Sequence, residues 1–242
     1  MKYSIILPTY NEALNISAMV RRIRELYGND PEILIVDDRS PDGTFEQASA
    51  LASDIPNVRA VLHDGPRSLS ASVLCGFDRA QGDVLLCMDA DGQHRPEDLG
   101  RLLSAMEHND MVIGSRYVEG GGFAEKWKFS RVLTSRTAAL MAKLILNVRI
   151  QDPMSGFFAI RKEAYEKVRA ELDPRGFKIM LEILSLLILL PGIRIAETGI
   201  VFAMRKHGAS KLSTHVILQY LLMLKNSFLK QRKLKKRTAL SA

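Results

Sequence analysis

Short apolar runs alternate along the chain with longer stretches in which apolar positions recur every three or four residues. The runs at 3–7, 32–36, 58–62, 83–88 and 111–113 are brief, and most are rich in Val and Ile, as buried strands are. Between them, 15–27, 44–53, 71–80 and 96–108 carry helical spacing. Pro96 presets the first-turn φ of the last of these, and Glu97 and Asp98 put negative charge against the helix dipole. Strand–helix alternation predicts parallel strands covered by helices on both faces, an α/β layered sandwich.

The second half is less regular. Helices are expected over 125–147, 177–190 and 214–233, with one or two strands in 194–204. The stretch Ile179 to Leu190 reads as core, and Gly120-Gly121-Gly122 as a flexible loop. No leader peptide is expected, because Met1-Lys2 run straight into the first strand. The longest apolar stretch, Ile183 to Ile193, contains Pro191 and Gly192 and is too short to span a bilayer.

Charge changes this picture at one end only. The 242 residues carry a net +7, yet ten Lys and Arg follow the last acidic residue, Glu197, so the rest nets −3. The chain therefore divides into a main domain, 1–213, and an amphipathic, basic tail, 214–242, suited to an anionic membrane surface. Lys126, Trp127 and Lys128 open a second amphipathic segment with Leu133, Leu140, Met141, Leu144 and Ile145. The basic run lacks interleaved aromatics and no nucleic-acid motif appears, so nucleic acid is not an expected partner. Cys75 and Cys87 form no CxxC pair and read as buried, reduced thiols.

Candidate chemistry gathers where apolar strands end. Asp37-Asp38 follow one strand and Asp89-Ala90-Asp91 another, and open parallel sheets bind ligands beyond their carboxyl ends. In extended chain Asp89 and Asp91 project to one side and can share a hard cation such as Mg²⁺, with Gln93 adding a carbonyl oxygen. A lone DxD is common and reads as a mere turn, but the strand-end context and the second acidic cluster favour the metal reading. Pro8 is expected to stop the first strand, leaving Tyr10 to stack on a base and Glu12 to accept its hydrogen bonds, or both to cap the next helix. His94 and His207 read as loop residues.

Together these residues carry a resemblance. Pro8-Thr9-Tyr10-Asn11-Glu12, Val36 to Thr44 and Met88-Asp89-Ala90-Asp91 resemble the family-2 inverting glycosyltransferases of GT-A fold. Further along stand Gly114-Ser115-Arg116-Tyr117, Asp152 to Phe158, Gly176-Phe177-Lys178-Ile179 with Glu182, and Arg205 with Gly208-Ala209-Ser210-Lys211. In this order they are similar to the dolichyl-phosphate (polyprenyl-phosphate) mannose synthases.

The resemblance implies a GT-A, Rossmann-like nucleotide-diphospho-sugar transferase with C-terminal amphipathic helices. It implies that Pro8, Tyr10, Glu12, Val36 and Asp38 hold the nucleoside, and that Asp89, Ala90, Asp91 and Gln93 bind Mg²⁺ or Mn²⁺ and the diphosphate. Arg116, Arg131, Arg205 and Lys211 would face phosphates, with Asp152 and Ser155 near the acceptor. The implied reaction is metal-dependent, inverting transfer of a sugar, mannose from GDP-mannose, to a polyprenyl phosphate. It would take place on the cytosolic membrane face, with the enzyme bound peripherally or through an anchor subunit. Rival readings are a UDP-sugar or saccharide-acceptor enzyme, with Asp152 as its base, and a non-enzymatic membrane or nucleic-acid adaptor. Departures from the family pattern are Arg39, Ser68 and Ala209.

Overall fold

The computed structural model describes residues 1–125, 129–204 and 214–240; the side chains of 129–131, 214–216 and 237–240 lie outside that description. The strands are β1 (Tyr3–Thr9), β2 (Glu32–Asp37), β3 (Val58–Leu62), β4 (Val84–Cys87), β5 (Met111–Ser115), β6 (Gly122–Phe123), β7 (Phe158–Arg161), β8 (Ile195–Gly199) and β9 (Val201–Phe202). The α-helices are α1 (Ile16–Tyr27), α2 (Thr44–Asp54), α3 (Leu69–Arg79), α4 (Leu99–Met106), α5 (Phe129–Leu146), α6 (Lys162–Arg169), α7 (Ile179–Leu187) and α8 (Thr214–Leu240).

Seven strands form one sheet in the order β3-β2-β1-β4-β7-β5-β8, and β6 pairs with β9 beside it. Successive side chains of a strand point to opposite faces, and both faces here are dry. Ile5, Leu7, Ile33 and Ile35 pack with Ile16, Val20 and Ile23 of α1 and Leu99 and Leu102 of α4. Ile6, Leu34 and Val36 pack on the other side with Val73, Leu74 and Phe77 of α3 and with α5 to α8. That double coverage explains why the strands read as continuous apolar runs.

Two expectations need correction. Pro8 does not stop the first strand, which continues through Pro8, paired with Val36, to Thr9. Pairing with β4 ends at Ile6, so the missing N–H of Pro8 falls where no ladder partner is required. The sheet is also not all-parallel, because β7 runs antiparallel between β4 and β5. Strand β7 and helix α6 escaped the sequence reading: Phe158-Ala159-Ile160-Arg161 is only four residues and passes directly into Lys162.

The glycine run is packed as well as turned. A Cβ on Gly121 would strike the Ser115 carbonyl, and one on Gly199 would strike the backbone of Glu119, Gly120 and Gly121. These two glycines let the segment after β5 lie directly on the end of β8. Gly199→Ala should therefore destabilise the fold by about 1–3 kcal/mol through overpacking. Urea unfolding checks this, and unchanged stability would mean that the segment can move aside.

Candidate active site

The carboxyl ends of β1, β2, β4 and β5 lie along one edge, and antiparallel β7 brings its preceding loop, 152–157, to that same edge. At the end of β2, Asp37 is fully buried and accepts hydrogen bonds from Thr9 Oγ1 (3.0 Å), Ser40 N (2.8 Å) and Ser40 Oγ (2.6 Å). Asp37 thus shapes the turn, while Asp38, also buried, meets His63 Nδ1 (3.0 Å) and accepts from the Ser68 amide (2.9 Å). The Ser68 hydroxyl donates towards the carbonyls of Pro174 and Gly176, both at 2.7 Å, so this departure from the family pattern ties two loops together.

Tyr10 receives a hydrogen bond from Arg67 Nη1 at 2.6 Å, and the Arg67 guanidinium lies 4.5 Å from its ring centroid. Glu12 accepts from Asn15 Nδ2 at 2.7 Å, and its amide donates to Thr44 Oγ1 at 2.9 Å. Val36 and Ala90 are core residues, so only their backbones face ligand space.

After β4 the chain curls through bends from Ala90 to His94, and Gly92 takes φ +82°. The extended geometry invoked for Asp89 and Asp91 therefore ends at Cys87, and the two carboxylates differ. The Asp89 side chain is 36% exposed. Asp91 is buried, and its Oδ1 accepts from the Gln93 amide at 2.9 Å. Gln93 is fixed in turn by its carbonyl, which accepts from Ala203 N at 2.9 Å. His94 lies on a loop, as expected, but it is a buried hub. Its Nδ1 accepts from the Asp89 amide (2.8 Å), and its ring stacks on Phe157 and meets Phe202 edge-on. Since Nδ1 accepts, the neutral ring carries its proton on Nε2.

Arg116 and Asp152 are joined more tightly than the sequence indicated. Arg116 Nε and Nη2 reach the two carboxylate oxygens at 2.6 and 2.7 Å, and the Arg116 amide adds a third bond at 3.1 Å. Side-chain exposure is 8% for Arg116 and zero for Asp152. Burial works to lower the Arg116 pKa, but the Asp152 hydrogen bonds and charge outweigh it, and the net shift is upward. The Asp152 amide is held by Glu197 Oε1 at 2.9 Å. Ser155 spends its hydroxyl inside the loop, accepting from Phe157 N at 3.1 Å. A Cβ on Gly156 would come within 3.3 Å of His94 and 3.5 Å of Asp89 Oδ2, so the loop passes directly over the metal-binding candidates.

Lys178, quoted in a motif but given no role from sequence, stands just before α7. Its Nζ donates to the Met154 carbonyl at 2.9 Å. Desolvation, and then the charge of Arg116, lower its pKa to about 8 against the pull of Asp89 and Asp152. His63 was missed for want of any local signal, since it meets Asp38 from 25 positions away. Arg205, Lys211 and His207 lie outside the described residues, as does the side chain of Arg131.

Among the described residues no group of three or more His, Cys, Asp and Glu side chains is arranged to hold a metal ion. A hard cation needs no such group where one or two carboxylates and ligand phosphates share it, and open Asp89 beside Asp91 and Gln93 fits that pattern.

The fold and site define a nucleotide-sugar transferase type of architecture, and comparison with known proteins agrees. The profile described as Glycosyl transferase family 2 matches residues 4–169, and the chain belongs to that family of glycosyltransferases. It is 44% identical over 227 residues to a dolichol-phosphate mannosyltransferase of Pyrococcus furiosus, covering 91% of this chain and 62% of that protein. The chain thus spans less than two thirds of that relative. The dolichol-phosphate mannosyltransferase of Saccharomyces cerevisiae is 39% identical over 237 residues, covering 94% of this chain and 87% of the relative. A polyprenol monophosphomannose synthase of Mycolicibacterium smegmatis is 39% identical over 215 residues, covering 86% of this chain and 80% of the relative. Glucosyl-3-phosphoglycerate synthase from Mycobacterium tuberculosis, solved with Mn²⁺, UDP and phosphoglyceric acid, superposes with TM-score 0.70 at 18% identity. That match covers 95% of this chain and 78% of the other, and it is a likeness of fold.

Breaking the Arg116–Asp152 pair from one side separates its two duties. Asp152→Ala takes the bidentate carboxylate away from a buried guanidinium and should cost about 3–5 kcal/mol in urea unfolding. The double change Arg116→Met with Asp152→Leu should recover most of that stability but no sugar transfer. Recovery of activity in the double variant would reduce the pair to a structural strut.

Proposed function

We propose that the chain moves mannose from GDP-mannose to the phosphate of a polyprenyl or dolichyl lipid, with inversion at the sugar carbon. The observation carrying this reading is that Asp89, Arg116 and Lys178 gather around the 152–156 loop, in a chain whose relatives are named for that transfer.

The acceptor is a phosphate monoester with a second pKa of about 6, so near neutral pH it is an ionised nucleophile. One of its oxygens attacks the anomeric carbon as the bond from that carbon to the donor diphosphate breaks, and the nucleoside diphosphate departs. No proton has to leave the nucleophile. Asp152 agrees with this, because a fully buried carboxylate with both oxygens on one guanidinium has no freedom to serve as a base. That observation also weighs against the saccharide-acceptor reading.

Asp89 and Asp91, with Gln93, would hold Mg²⁺ or Mn²⁺, which when bound neutralises diphosphate charge. Arg116 holds Asp152 and its loop in place over Asp89. Lys178 places a partly desolvated cation where phosphate charge enters, and Asp38 with Tyr10 and Glu12 lies at the nucleoside end of the sheet.

The lipid acceptor makes peripheral attachment to the cytosolic membrane face part of the same proposal. No helix among the described residues is long and apolar enough to cross a membrane. Within the 214–242 segment expected to meet a membrane, Tyr220 and Leu224 of α8 are buried in the core, so these two positions face protein and not lipid. Ile217, Leu218, Leu221, Leu222, Phe228 and Leu229 are instead exposed, as are Leu133, Leu140 and Leu144 on α5. These exposed faces are suited to an interfacial helix pair, with or without an anchor subunit.

The donor reading is tested by heat stabilisation with Mg²⁺ or Mn²⁺. GDP-mannose should raise Tm well above UDP-glucose, and Asp91→Asn should remove the metal-dependent part and nearly abolish transfer to polyprenyl phosphate. Preference for UDP-glucose, or full transfer in excess EDTA, would overturn it. Attachment is tested by co-sedimentation with anionic liposomes: Leu218→Ser with Leu222→Ser should release the protein and leave donor stabilisation unchanged. Equal pelleting of variant and wild type would defeat that part of the proposal.

A further inference from the structure

A second recess lies apart from the transfer site. It has a volume of about 830 Å³, opens to solvent, and is bordered by the last turn of α5, the end of α7 and the residues after it, α6, and α8 around Gln231 to Lys235. None of its lining residues belongs to the site described above. Ile188, Leu189 and Leu190 lead towards the start of β8, whereas Arg116 follows the end of β5, its parallel neighbour.

The walls are apolar. Leu146, Val168 and Leu186 are buried, and Ile188, Leu189, Leu190 and Leu234 are only half covered although they are large and greasy. Three exposed cations, Arg149, Lys167 and Lys235, stand at the rim against a single carboxylate, Glu171. Gln231, 5% exposed, also lines the recess; its Nε2 is taken by the carbonyls of Ser185 (2.6 Å) and Leu146 (3.2 Å), so its amide plane is fixed. Lys230 beside it is pinned to Glu182 at 2.7 Å, which anchors this end of α8 to α7. The recess is therefore framed by rigid packing, and its size falls within the roughly 300–1,000 Å³ usual for ligand pockets.

We propose that this recess is a second lipid site that takes one acyl chain of an anionic phospholipid. The chain would lie along Ile188, Leu189, Leu190 and Leu234, and the phosphate would be met by Arg149, Lys167 and Lys235. Charge complementarity selects the head group: an apolar floor alone would accept any hydrocarbon, but three cations facing one carboxylate favour an anion. Position supports a bilayer source, because of the two helices that carry the exposed apolar faces, α5 ends at this recess and α8 borders it through Gln231, Leu234 and Lys235. The proposal concerns binding alone and does not depend on which sugar or acceptor the transfer site uses.

The test uses the full chain and the fluorescent fatty acid cis-parinarate, competed by oleoyl-lysophosphatidate below its micellar concentration. Saturable binding of one parinarate is expected, displaced at least tenfold less effectively by uncharged monoolein. Ile188→Trp fills the recess and should abolish binding. Arg149→Glu with Lys167→Glu changes only exposed rim charges and should weaken lysophosphatidate about tenfold at unchanged Tm, which keeps the proposal testable if the tryptophan variant folds poorly. Asp91→Asn, impaired at the transfer site, should bind parinarate like the wild type. No saturable binding, equal competition by monoolein, or loss only in Leu218→Ser with Leu222→Ser would overturn the assignment, the last locating the lipid on the open face of α8.

Discussion

A guanidinium cannot be taken out of water without a partner that meets its fork, and at the end of β5 that partner is Asp152. The pair does more than neutralise charge. Arg116 offers its side chain and its own amide to the same carboxylate, and Glu197 of β8 holds the Asp152 amide. The end of β5, the edge strand β8 and the loop before β7 are thereby locked as one body. Because β7 runs antiparallel between β4 and β5, that loop has to cross the carboxyl end of β4, and Gly156 is the residue that lets it pass close to Asp89 and His94. The position of the candidate metal ligands is thus set from a strand two places away.

The electrostatics of the edge follow from this packing. Arg116 keeps its charge because Asp152 outweighs its desolvation, whereas Lys178 donates to the neutral Met154 carbonyl and its pKa falls to about 8. An anionic group arriving near Lys178 favours the charged form and draws the proton back. Its folded pKa lies below the unfolded value near 10.4, so Lys178 weakens the fold below pH 8, and stability is recovered as pH rises from about 8 towards 10.4. A phosphate ligand relieves the same strain at neutral pH. Protein stability and ligand charge are therefore coupled through one side chain.

Much of this was legible in the sequence, for reasons that can be traced. Strands buried on both faces leave uninterrupted apolar runs, so β1 to β5 announced themselves, and the carboxylates after β2 and β4 followed from the rule that parallel sheets bind at their carboxyl ends. Strand β7 did not announce itself. Four residues without turn signals have no periodicity to measure, and only the ladder to both β4 and β5 makes them a strand. The contrast between open Asp89 and buried Asp91 was hidden because it arises from a bend stabilised by His94, Phe157 and Phe202, residues far apart in sequence. Likewise nothing near His63 pointed to Asp38.

Helix α8 shows a different limit. Its apolar residues lie nearly all around, so periodicity alone cannot say which face meets protein. The deciding signal is polar: Ser227 and Gln231 continue the line of Tyr220 and Leu224, and Gln231 caps carbonyls of Leu146 and Ser185, which only a protein-facing side chain can do. Ile217, Leu218, Leu221 and Leu222 are thereby left for another surface. The early turns of α5 lie beside the transfer site, with Ser135 Oγ 3.4 Å from the Tyr117 hydroxyl and Arg136 over the Tyr117 ring. Tyr117 follows Arg116 directly, and Leu133 is exposed on that part of the helix. A lipid whose tail stays in a bilayer can present only its head group, so a membrane met by α5 and α8 would deliver that head group next to Arg116 without any large movement of the fold.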